Sequence, residues 1–271
     1  MSVYETKLKM DRYSIHTHVG GKGYPILMLH GSGPGASSYG NFHAVMGPLS
    51  RRYRILAGDL VGFGKSDQKR REPYFDLRLW MKEAQFLLDH VSKGRTVGVI
   101  GHSLSGLLAL KLASRNKNVN KVLVTGSLGV KYRIPAALRA GWTFPKSEHQ
   151  FRKTYSQLVA DTSLVTDEFV ADRMKVLRTG NYGAYFTKMF GGNKQSILNK
   201  CVLTSREIER IKCSLLIIHG AQDLCVPFDQ ATVPLANLLP HADLVRLANC
   251  GHGPAMDQPG KFLSLARDFF G

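Results

Sequence analysis

The stretch VIGHSLSGLLALKLA, residues 99–113, changes character over a few residues and decides the fold. Its first part completes TVGVIG (96–101), a short β-branched run that is typical of a buried strand. Its last part runs into LLALKLASR (107–115), which has the apolar spacing of a helix. A very short turn around Ser103 must therefore join a strand to a helix.

The same alternation of strand and helix continues in both directions from this turn. Segments 76–92 and 103–115 and the terminal KFLSLARDFF have helical spacing. The strand-like runs are ILMLHG (26–31), YRILAGDL (53–60), TVGVIG (96–101), KVLVTGS (121–127), SLLIIHG (214–220) and ADLVRLANC (242–250). This pattern predicts an α/β fold, with a mostly parallel sheet covered by helices on both faces.

Two segments depart from this alternation. VYETKLKM and YSIHTHVG alternate with period two around Asp11, which predicts an antiparallel hairpin at the sheet edge. From 131 to 210 no strand-like run appears, and stretches such as DEFVADRMKVL predict a helical insertion. An insertion after a strand's carboxyl end lies above the ligand crevice of an open parallel sheet. We therefore expect a core domain of 1–130 and 211–271 and a helical lid at 131–210.

Composition limits the protein class. The chain has 271 residues, 44% of them apolar, and can bury a large core. MSVYETKLKM lacks a signal-peptide run, and no uncharged apolar stretch approaches the ~20 residues of a membrane helix. The four cysteines have neither CxxC spacing nor a dense framework. These features predict a cytoplasmic protein with free thiols, no membrane association, and no metal or organic cofactor.

The charge balance is strongly basic. There are 37 Lys and Arg against 20 Asp and Glu, a net charge of +17 that attracts anions. The basic residues are spread along the chain, and no helix or aromatic array collects them into an element that reads nucleic acid. A solvated basic surface and a small-molecule partner are therefore expected rather than nucleic acid. Assembly into a homo-oligomer is left open.

Ser103 stands in GHSLSG, close to the G-x-S-x-G pattern of a nucleophile elbow. In that turn the serine hydroxyl is exposed above the sheet, and small neighbours let strand and helix approach. Gly101 fills the first glycine position, whereas Ser105 replaces the second and Gly106 follows it. Since serine is small, we expect the turn to be kept. The helix that starts here also points its free N–H groups at developing negative charge.

A serine nucleophile needs a base and an acid that orients the base. Asp223 follows the strand SLLIIHG, and His252 follows the strand ADLVRLANC. Each comes just after a strand's carboxyl end, at the same sheet edge as Ser103. Taken separately, Asp223 is typical of a turn residue and His252 of a structural histidine. The order Ser, Asp, His along the chain nevertheless predicts a catalytic triad.

The glycine-rich turn LHGSGPGASS follows the strand at 26–31 and predicts an oxyanion hole. The backbone N–H groups of Ser32 and Leu104 are its expected donors. A phosphate-binding loop is the alternative. This turn lacks the G-x-G-x-x-G spacing and the P-loop lysine, and Pro34 removes a donor.

These motifs, with DLVGFGKSD (59–67), GAQD and the terminal GHG, resemble the α/β-hydrolase superfamily across nearly all of the chain. Within it, HGSGPGASSYGNF, DLVGFGKSD and DTSLVTDEFVADRMKVL are most similar to the meta-cleavage product hydrolases. That resemblance implies cleavage of a carbon–carbon bond in vinylogous 1,5-diketo acids from aromatic-ring degradation. In that family the serine acts on a ketone after the dienol tautomerises.

The resemblance also implies contacts to an anionic substrate. It puts Asn41 and Arg173 at the substrate carboxylate, and His102 in the substrate-binding site beside the nucleophile. Arg173 also reads as an exposed helix arginine. Two positions depart from the family pattern, since His102 stands where the family usually has Asn and Gly253 where it usually has Trp.

Two alternatives stay open at this point. One is a carboxylesterase, lactonase or thioesterase that uses the same triad on a small ester. The other is a non-catalytic, ligand-binding relative, which the presence of Ser103, Asp223 and His252 disfavours.

Overall fold

The computed structural model describes residues 2–271 and contains one eight-stranded sheet. Its strands are β1 (Tyr4–Met10), β2 (Tyr13–Gly20), β3 (Pro25–Leu29), β4 (Arg54–Gly58), β5 (Val97–His102), β6 (Val119–Thr125), β7 (Ser214–Gly220) and β8 (Ala242–Leu247). The order across the sheet is β1-β2-β4-β3-β5-β6-β7-β8. All neighbours from β4 to β8 pair in parallel, which confirms the mostly parallel sheet.

The first two strands form the predicted antiparallel hairpin at the sheet edge. Asp11 takes a positive φ of 50° in its turn, a conformation that Asp tolerates better than most residues. Because β2 pairs antiparallel with β4, the hairpin extends the parallel sheet on one side. Glu5 and His18 lie opposite each other in this hairpin.

Twelve α-helices accompany the sheet among the described residues. They are α1 (Ser38–Ser50), α2 (Leu77–Ser92), α3 (Leu104–Arg115), α4 (Ala136–Gly141), α5 (Glu148–Tyr155), α6 (Asp167–Leu177), α7 (Tyr182–Met189), α8 (Lys194–Lys200), α9 (Ser205–Arg210), α10 (Val233–Leu238), α11 (Pro254–Asp257) and α12 (Pro259–Phe270). The helices predicted at 76–92 and 103–115 are α2 and α3. Their first predicted residues, Asp76 and Ser103, are N-caps.

Apolar side chains cover both faces of the sheet. Consecutive residues of β3 show this, since Leu27 belongs to one buried cluster and Met28 to the other. The first cluster includes Leu107 of α3, and the second includes Phe42 of α1 and Phe262 of α12. Alternate residues of a strand point to opposite faces, so strands covered on both sides are apolar throughout.

Four predicted strands extend too far at their carboxyl ends. The predictions at 26–31, 53–60, 121–127 and 242–250 are wrong there, because β3, β4, β6 and β8 end at Leu29, Gly58, Thr125 and Leu247. The chain leaves the sheet at these points to make side-chain contacts. Asp59, for example, accepts hydrogen bonds from the backbone N–H and hydroxyl of Ser38 at 2.7 Å each.

The segment between β6 and β7 carries six α-helices, α4 to α9. DEFVADRMKVL forms α6 as predicted. The segment packs onto the loops at the carboxyl ends of the strands, where Gly35 N donates to the Tyr182 hydroxyl at 3.2 Å. Trp142 stacks on Phe190 within it, with ring centroids 5.1 Å apart. Across residues 2–271, no helix is both long enough and apolar enough to cross a membrane.

Candidate active site

Ser103 lies between β5 and α3 in a strained conformation, with φ 56° and ψ −120°. Such a conformation is costly for a residue with a side chain and persists only where its surroundings enforce it. A Cβ at Gly101 would lie 2.4 Å from the Ser105 carbonyl oxygen, and one at Gly106 would lie 2.3 Å from Ser127 Oγ. The tight turn therefore requires glycine at both positions.

Ser105 replaces the second glycine of the elbow pattern without opening the turn. Its hydroxyl donates to the buried carbonyl oxygen of His30 at 2.5 Å. This hydrogen bond links the start of α3 to the loop that follows β3. The serine thus supplies a contact that glycine lacks, and the departure from the pattern is structurally accommodated.

The three residues predicted to form a triad meet at the carboxyl edge of the sheet. Ser103 Oγ lies 2.9 Å from His252 Nε2, and His252 Nδ1 lies 2.8 Å from Asp223 Oδ2. All three side chains are buried. A neutral His252 in this position can accept the Ser103 proton while its other nitrogen donates to Asp223.

Asp223 is held by the turn that follows β7. Its Oδ1 accepts from the backbone N–H groups of Cys225 at 2.8 Å and Val226 at 3.0 Å. Burial acts to raise the pKa of Asp223, but the nearby His252 and these hydrogen bonds outweigh it and lower the pKa below its usual value. Asp223 is therefore an anion at neutral pH and orients the imidazole.

The loop after β3 lies against Ser103. A Cβ at Gly31 would lie 3.0 Å from His102 Cδ2 and 3.2 Å from Ser103 Cβ, so the loop approaches closely. Among residues 2–271, the N–H groups of Ser32 and Leu104 have no protein acceptor. Two such donors beside a nucleophile can hold a developing oxyanion.

Trp142 and Asn41 fix the position of this loop. Trp142 Nε1 donates to Ser32 Oγ at 2.9 Å, and Gly31 N donates to Asn41 Oδ1 at 2.9 Å. Asn41 Nδ2 donates to Met256 Sδ at 3.8 Å, and Asn41 is one of the residues that line the cavity. Asn41 therefore supports the loop through its amide oxygen, and its NH2 group has a second N–H that a ligand can accept.

His102 forms the cavity wall next to the nucleophile. Its Nδ1 lies 2.9 Å from Thr125 Oγ1, and its ring centroid lies 4.7 Å from that of His252. Burial, and then the charge of His252, lower the pKa of His102 to about 3. His102 is therefore neutral at physiological pH and adds no positive charge beside His252.

Arg173 of α6 reaches the same cavity and is not an exposed helix arginine. Its Nη1 donates to the Gly35 carbonyl oxygen at 2.5 Å, and its guanidinium lies over the Phe169 ring at 5.2 Å. A Cβ at Gly40 would lie 2.1 Å from Nη2, so glycine is needed there to admit the guanidinium. Burial raises the pKa of Tyr155 in the cavity, and the Arg173 charge partly opposes that effect.

The cavity above Ser103 has a volume of about 70 Å³. Leu138, Trp142 and Phe151 from the helical segment form its apolar wall. His102, Asn41 and Arg173 contribute polar groups to the same space, so every side chain predicted to bind substrate lines it.

Some residues of the site carry no sequence signal. Asp257 Oδ2 accepts from Gly251 N at 2.5 Å and from Ala160 N at 2.9 Å, which ties the His252 loop to the helical segment. Met256 lies beside Gly253, with Sδ 3.5 Å from the position of an added Cβ. Met256 thus occupies space next to the position where the resembling family usually has Trp.

Comparisons with known proteins show the family of this chain. The profile of a family described as "alpha/beta hydrolase fold" matches residues 24–259. The 2-hydroxy-6-oxo-2,4-heptadienoate hydrolase of Pseudomonas putida strain F1 is 30% identical over 253 residues, covering 93% of this chain and 91% of that protein. The 2-hydroxymuconate semialdehyde hydrolase of Pseudomonas sp. strain CF600 is 30% identical over 253 residues, covering 93% and 88%.

A solved structure is similar over almost the whole chain. It is the meta-cleavage product hydrolase from Pseudomonas fluorescens IP01, a serine-to-alanine mutant complexed with acetates. Its TM-score is 0.90 with 28% sequence identity, and the match covers 98% of this chain and 97% of that one.

Proposed function

The chain belongs to the α/β-hydrolase fold family, and on that premise we propose that it is a serine-dependent hydrolase of carbon–carbon bonds. Its proposed substrate is a vinylogous diketo acid of the 2-hydroxy-6-oxo-dienoate type, the class named in its relatives. The observation that carries the proposal is the hydrogen-bonded chain from Ser103 through His252 to Asp223, with links of 2.9 and 2.8 Å.

Ser103 is the proposed nucleophile. As its Oγ adds to the ketone carbon, the proton passes to His252 Nε2, and Asp223 stabilises the imidazolium that forms. The ketone oxygen becomes an oxyanion and accepts hydrogen bonds from the N–H groups of Ser32 and Leu104. Donors that are already in place lower the barrier because they need no reorganisation when the charge appears.

The leaving group is a carbon atom, so it must be made able to accept the bonding electrons. Ketonisation of the substrate dienol supplies this, because it places a carbonyl where the electron pair of the broken bond can be delocalised. When the tetrahedral intermediate collapses, His252 returns its proton to the leaving fragment. A water that His252 then deprotonates releases the acyl group from Ser103 as a carboxylic acid.

Arg173 and Asn41 are the proposed contacts for the substrate carboxylate. A guanidinium binds a carboxylate through two parallel hydrogen bonds, and within residues 2–271 Arg173 donates to the backbone through Nη1 alone. Asn41 adds the amide group that faces the cavity. The net charge of +17 attracts an anionic substrate from solution.

The helical segment 131–210 is proposed to act as a lid. It supplies the apolar wall of the cavity and Arg173, so closure over a bound substrate brings the carboxylate contact to the nucleophile. The volume of about 70 Å³ favours a small group on the ketone, since a bulky one needs this segment to move. We also propose a cytoplasmic enzyme, an expectation that the four free cysteines support. A homo-oligomer is a prediction for size-exclusion measurements.

Turnover of two matched substrates tests the proposal. The purified chain is assayed with an anionic dienoic diketo acid and with an uncharged aryl ester, and both products of acid cleavage are identified. We expect the acid to be split into a carboxylic acid and a hydroxydienoate, and Ser103→Ala to abolish this turnover while circular dichroism stays unchanged. Turnover of the ester alone would replace the proposal with an esterase, and a fully active Ser103→Ala would exclude this nucleophile.

A further inference from the structure

Three side chains of the edge hairpin converge on one point outside the Ser103 cavity. Glu5 of β1 and His18 of β2 are cross-strand partners, and His16 lies two residues before His18 on the same face. Glu5 Oε2 lies 3.0 Å from His16 Nε2, and Glu5 Oε1 lies 3.6 Å from His18 Nε2. We propose that Glu5, His16 and His18 bind one divalent transition-metal ion such as Zn²⁺.

The two histidines are oriented as metal ligands are. His16 Nδ1 lies 2.9 Å from Asp59 Oδ2, and His18 Nδ1 lies 3.1 Å from the Ser38 hydroxyl. The Ser38 hydroxyl donates to Asp59, so its lone pairs remain to accept a proton from His18. Such contacts hold the ring and leave the Nε2 lone pair for a metal.

His18 carries an independent sign of a missing partner. Its side chain is almost fully buried, with 4% of the residue exposed, and Nε2 has no hydrogen-bond partner among residues 2–271. An unpaired polar atom in the interior is unfavourable, and most buried polar atoms are paired. A metal ion bound between the three side chains supplies the partner.

The ligand set selects the class of ion. Two imidazoles and one carboxylate suit Zn²⁺, Co²⁺ or Ni²⁺ rather than Ca²⁺ or Mg²⁺, which prefer oxygen ligands. The candidate ligand atoms all lie within 4.8 Å of one another, so small side-chain shifts bring them around one ion. Three protein ligands leave a position for water.

The solvent access and the charge of the site also suit a metal ion. The Glu5 side chain is 51% exposed, which opens the site to solvent. Lys65 Nζ lies 2.7 Å from Glu5 Oε2, but its side chain is 64% exposed and free to turn away. The carboxylates of Glu5 and Asp59 then balance the two charges of the ion. The site contains no cysteine, so the cysteine spacing on which the sequence prediction of no metal was based carries no information about it.

The proposed metal site is separate from the triad and does not depend on the proposed function. Its surrounding cavity shares Ser37, Gly40 and Arg173 with the Ser103 cavity, and so lies across one wall from it. The ligands and their contacts belong to β1, β2, α1 and the end of β4. A bound ion therefore fastens the edge hairpin to the core and should raise the thermal stability of the chain.

Titration of the metal-free full chain with Co²⁺ tests the proposal. Calorimetry and visible absorption are expected to show one equivalent bound, with weak d–d bands and no thiolate charge-transfer band. Glu5→Gln and His18→Phe should each weaken Co²⁺ binding by about 10-fold or more. Zn²⁺ should raise the Tm of the intact chain and not that of either variant. Glu5→Gln changes a half-exposed edge residue, so it tests the site even if His18→Phe fails to fold.

Two controls locate the ion. His43→Ala removes an exposed histidine of the same surrounding cavity and should leave Co²⁺ binding unchanged. His252→Ala should also bind Co²⁺ normally, because that residue belongs to the triad. Loss of binding in His252→Ala, unchanged binding in both Glu5→Gln and His18→Phe, or no stoichiometric binding at all would overturn the proposal.

Discussion

Arg173 has a structural role and a proposed role in substrate binding, and the two can be tested separately. Its guanidinium braces the loop at Gly35 and also faces the Ser103 cavity. We expect Arg173→Ala to lower kcat/KM for an anionic diketo acid about 30- to 1000-fold, a loss of transition-state stabilisation on the order of 2 to 4 kcal/mol. An uncharged aryl ester should lose far less. Steady-state kinetics with both substrates measure the difference.

Arg178 is the matched control for this change. It caps the same helix, α6, and its Nη2 pairs with Glu148 at 3.2 Å on the surface. Exposed pairs contribute about 1 kcal/mol or less, so Arg178→Ala should leave both activities near those of the intact chain. Equal losses for the acid and the ester in Arg173→Ala would contradict carboxylate recognition and indicate damage to the helical segment.

His102 allows a test by pH at the scale of one residue. Because its pKa is lowered to about 3, His102 is neutral at every pH from about 5 upwards. Asp223, with a lowered pKa, stays ionised over the same range. Neither His102 nor Asp223 therefore titrates on the acid side of the kcat/KM profile. We expect His102→Gln to change the height of the pH profile and not the position of its acid limb.

Asp223→Asn provides the comparison for that profile. An amide in place of the carboxylate no longer fixes the imidazole tautomer or stabilises its cation, and kcat should fall by about 10⁴-fold. An acid limb that moves by a whole pH unit in His102→Gln would show that His102 titrates with the reaction and would contradict a neutral His102.

At the scale of secondary-structure elements, the tight turn between β5 and α3 can be tested by substituting Gly106. An alanine Cβ at this position meets Ser127 Oγ at 2.3 Å and Ser127 Cβ at 2.7 Å. We expect Gly106→Ala to push α3 away from β6, lower the Tm and reduce kcat. Overpacking of this kind costs about 1–3 kcal/mol in the free energy of unfolding. Thermal denaturation and turnover are measured together.

Another helical glycine separates packing from helix propensity. Among residues 2–271, no atom outside the surrounding turns of α1 lies within 4 Å of a Cβ added at Gly47, so Gly47→Ala should stabilise the chain by about 0.5–1 kcal/mol. Ser127→Gly combined with Gly106→Ala removes the obstructing side chain and should restore part of the loss. A Gly106→Ala chain as stable and active as Gly47→Ala would disprove the close approach.

At the scale of the whole molecule, Glu83 of α2 makes stability depend on pH. Burial raises the pKa of Glu83 well above its usual value, and the charge of Asp59 adds to this, while hydrogen bonds from Val61 N oppose it. A carboxyl group whose pKa is higher in the folded than in the unfolded state makes its full contribution to stability at pH values below the unfolded-state pKa. This contribution is lost as the pH rises towards the folded-state pKa. Glu83 should therefore make the intact chain less stable at pH 8 than at pH 5.

Glu83→Gln should remove this contribution, because an amide does not ionise. Urea denaturation at several pH values is expected to show a flatter profile for the variant, and one titrating group changes the slope by at most about 1.4 kcal/mol per pH unit. Glu148→Gln, an exposed carboxyl change, should keep the profile of the intact chain. Parallel profiles for Glu83→Gln and the intact chain would contradict a buried carboxyl with a raised pKa.

The fold and the candidate triad could largely be predicted from the sequence because their signals are local. Apolar runs and spacing predicted the parallel sheet and the hairpin, and Gly101 and Ser103 marked the turn between β5 and α3. Strand ends were predicted poorly. At Asp59 the chain leaves the sheet to bind Ser38 of a different element, and no local pattern contains that contact.

By itself, the sequence determined the order of elements and the position of Ser103, Asp223 and His252 after their strands. Parallel strands end at one edge, so chain order and periodicity are enough to bring such residues together. Only the tertiary structure decided which other side chains converge. Trp142 meets Ser32 across 110 positions, and Glu5 meets His16 across 11, on opposite sides of a turn. Such contacts depend on how elements pack and on strand register, which residue spacing within one element does not encode.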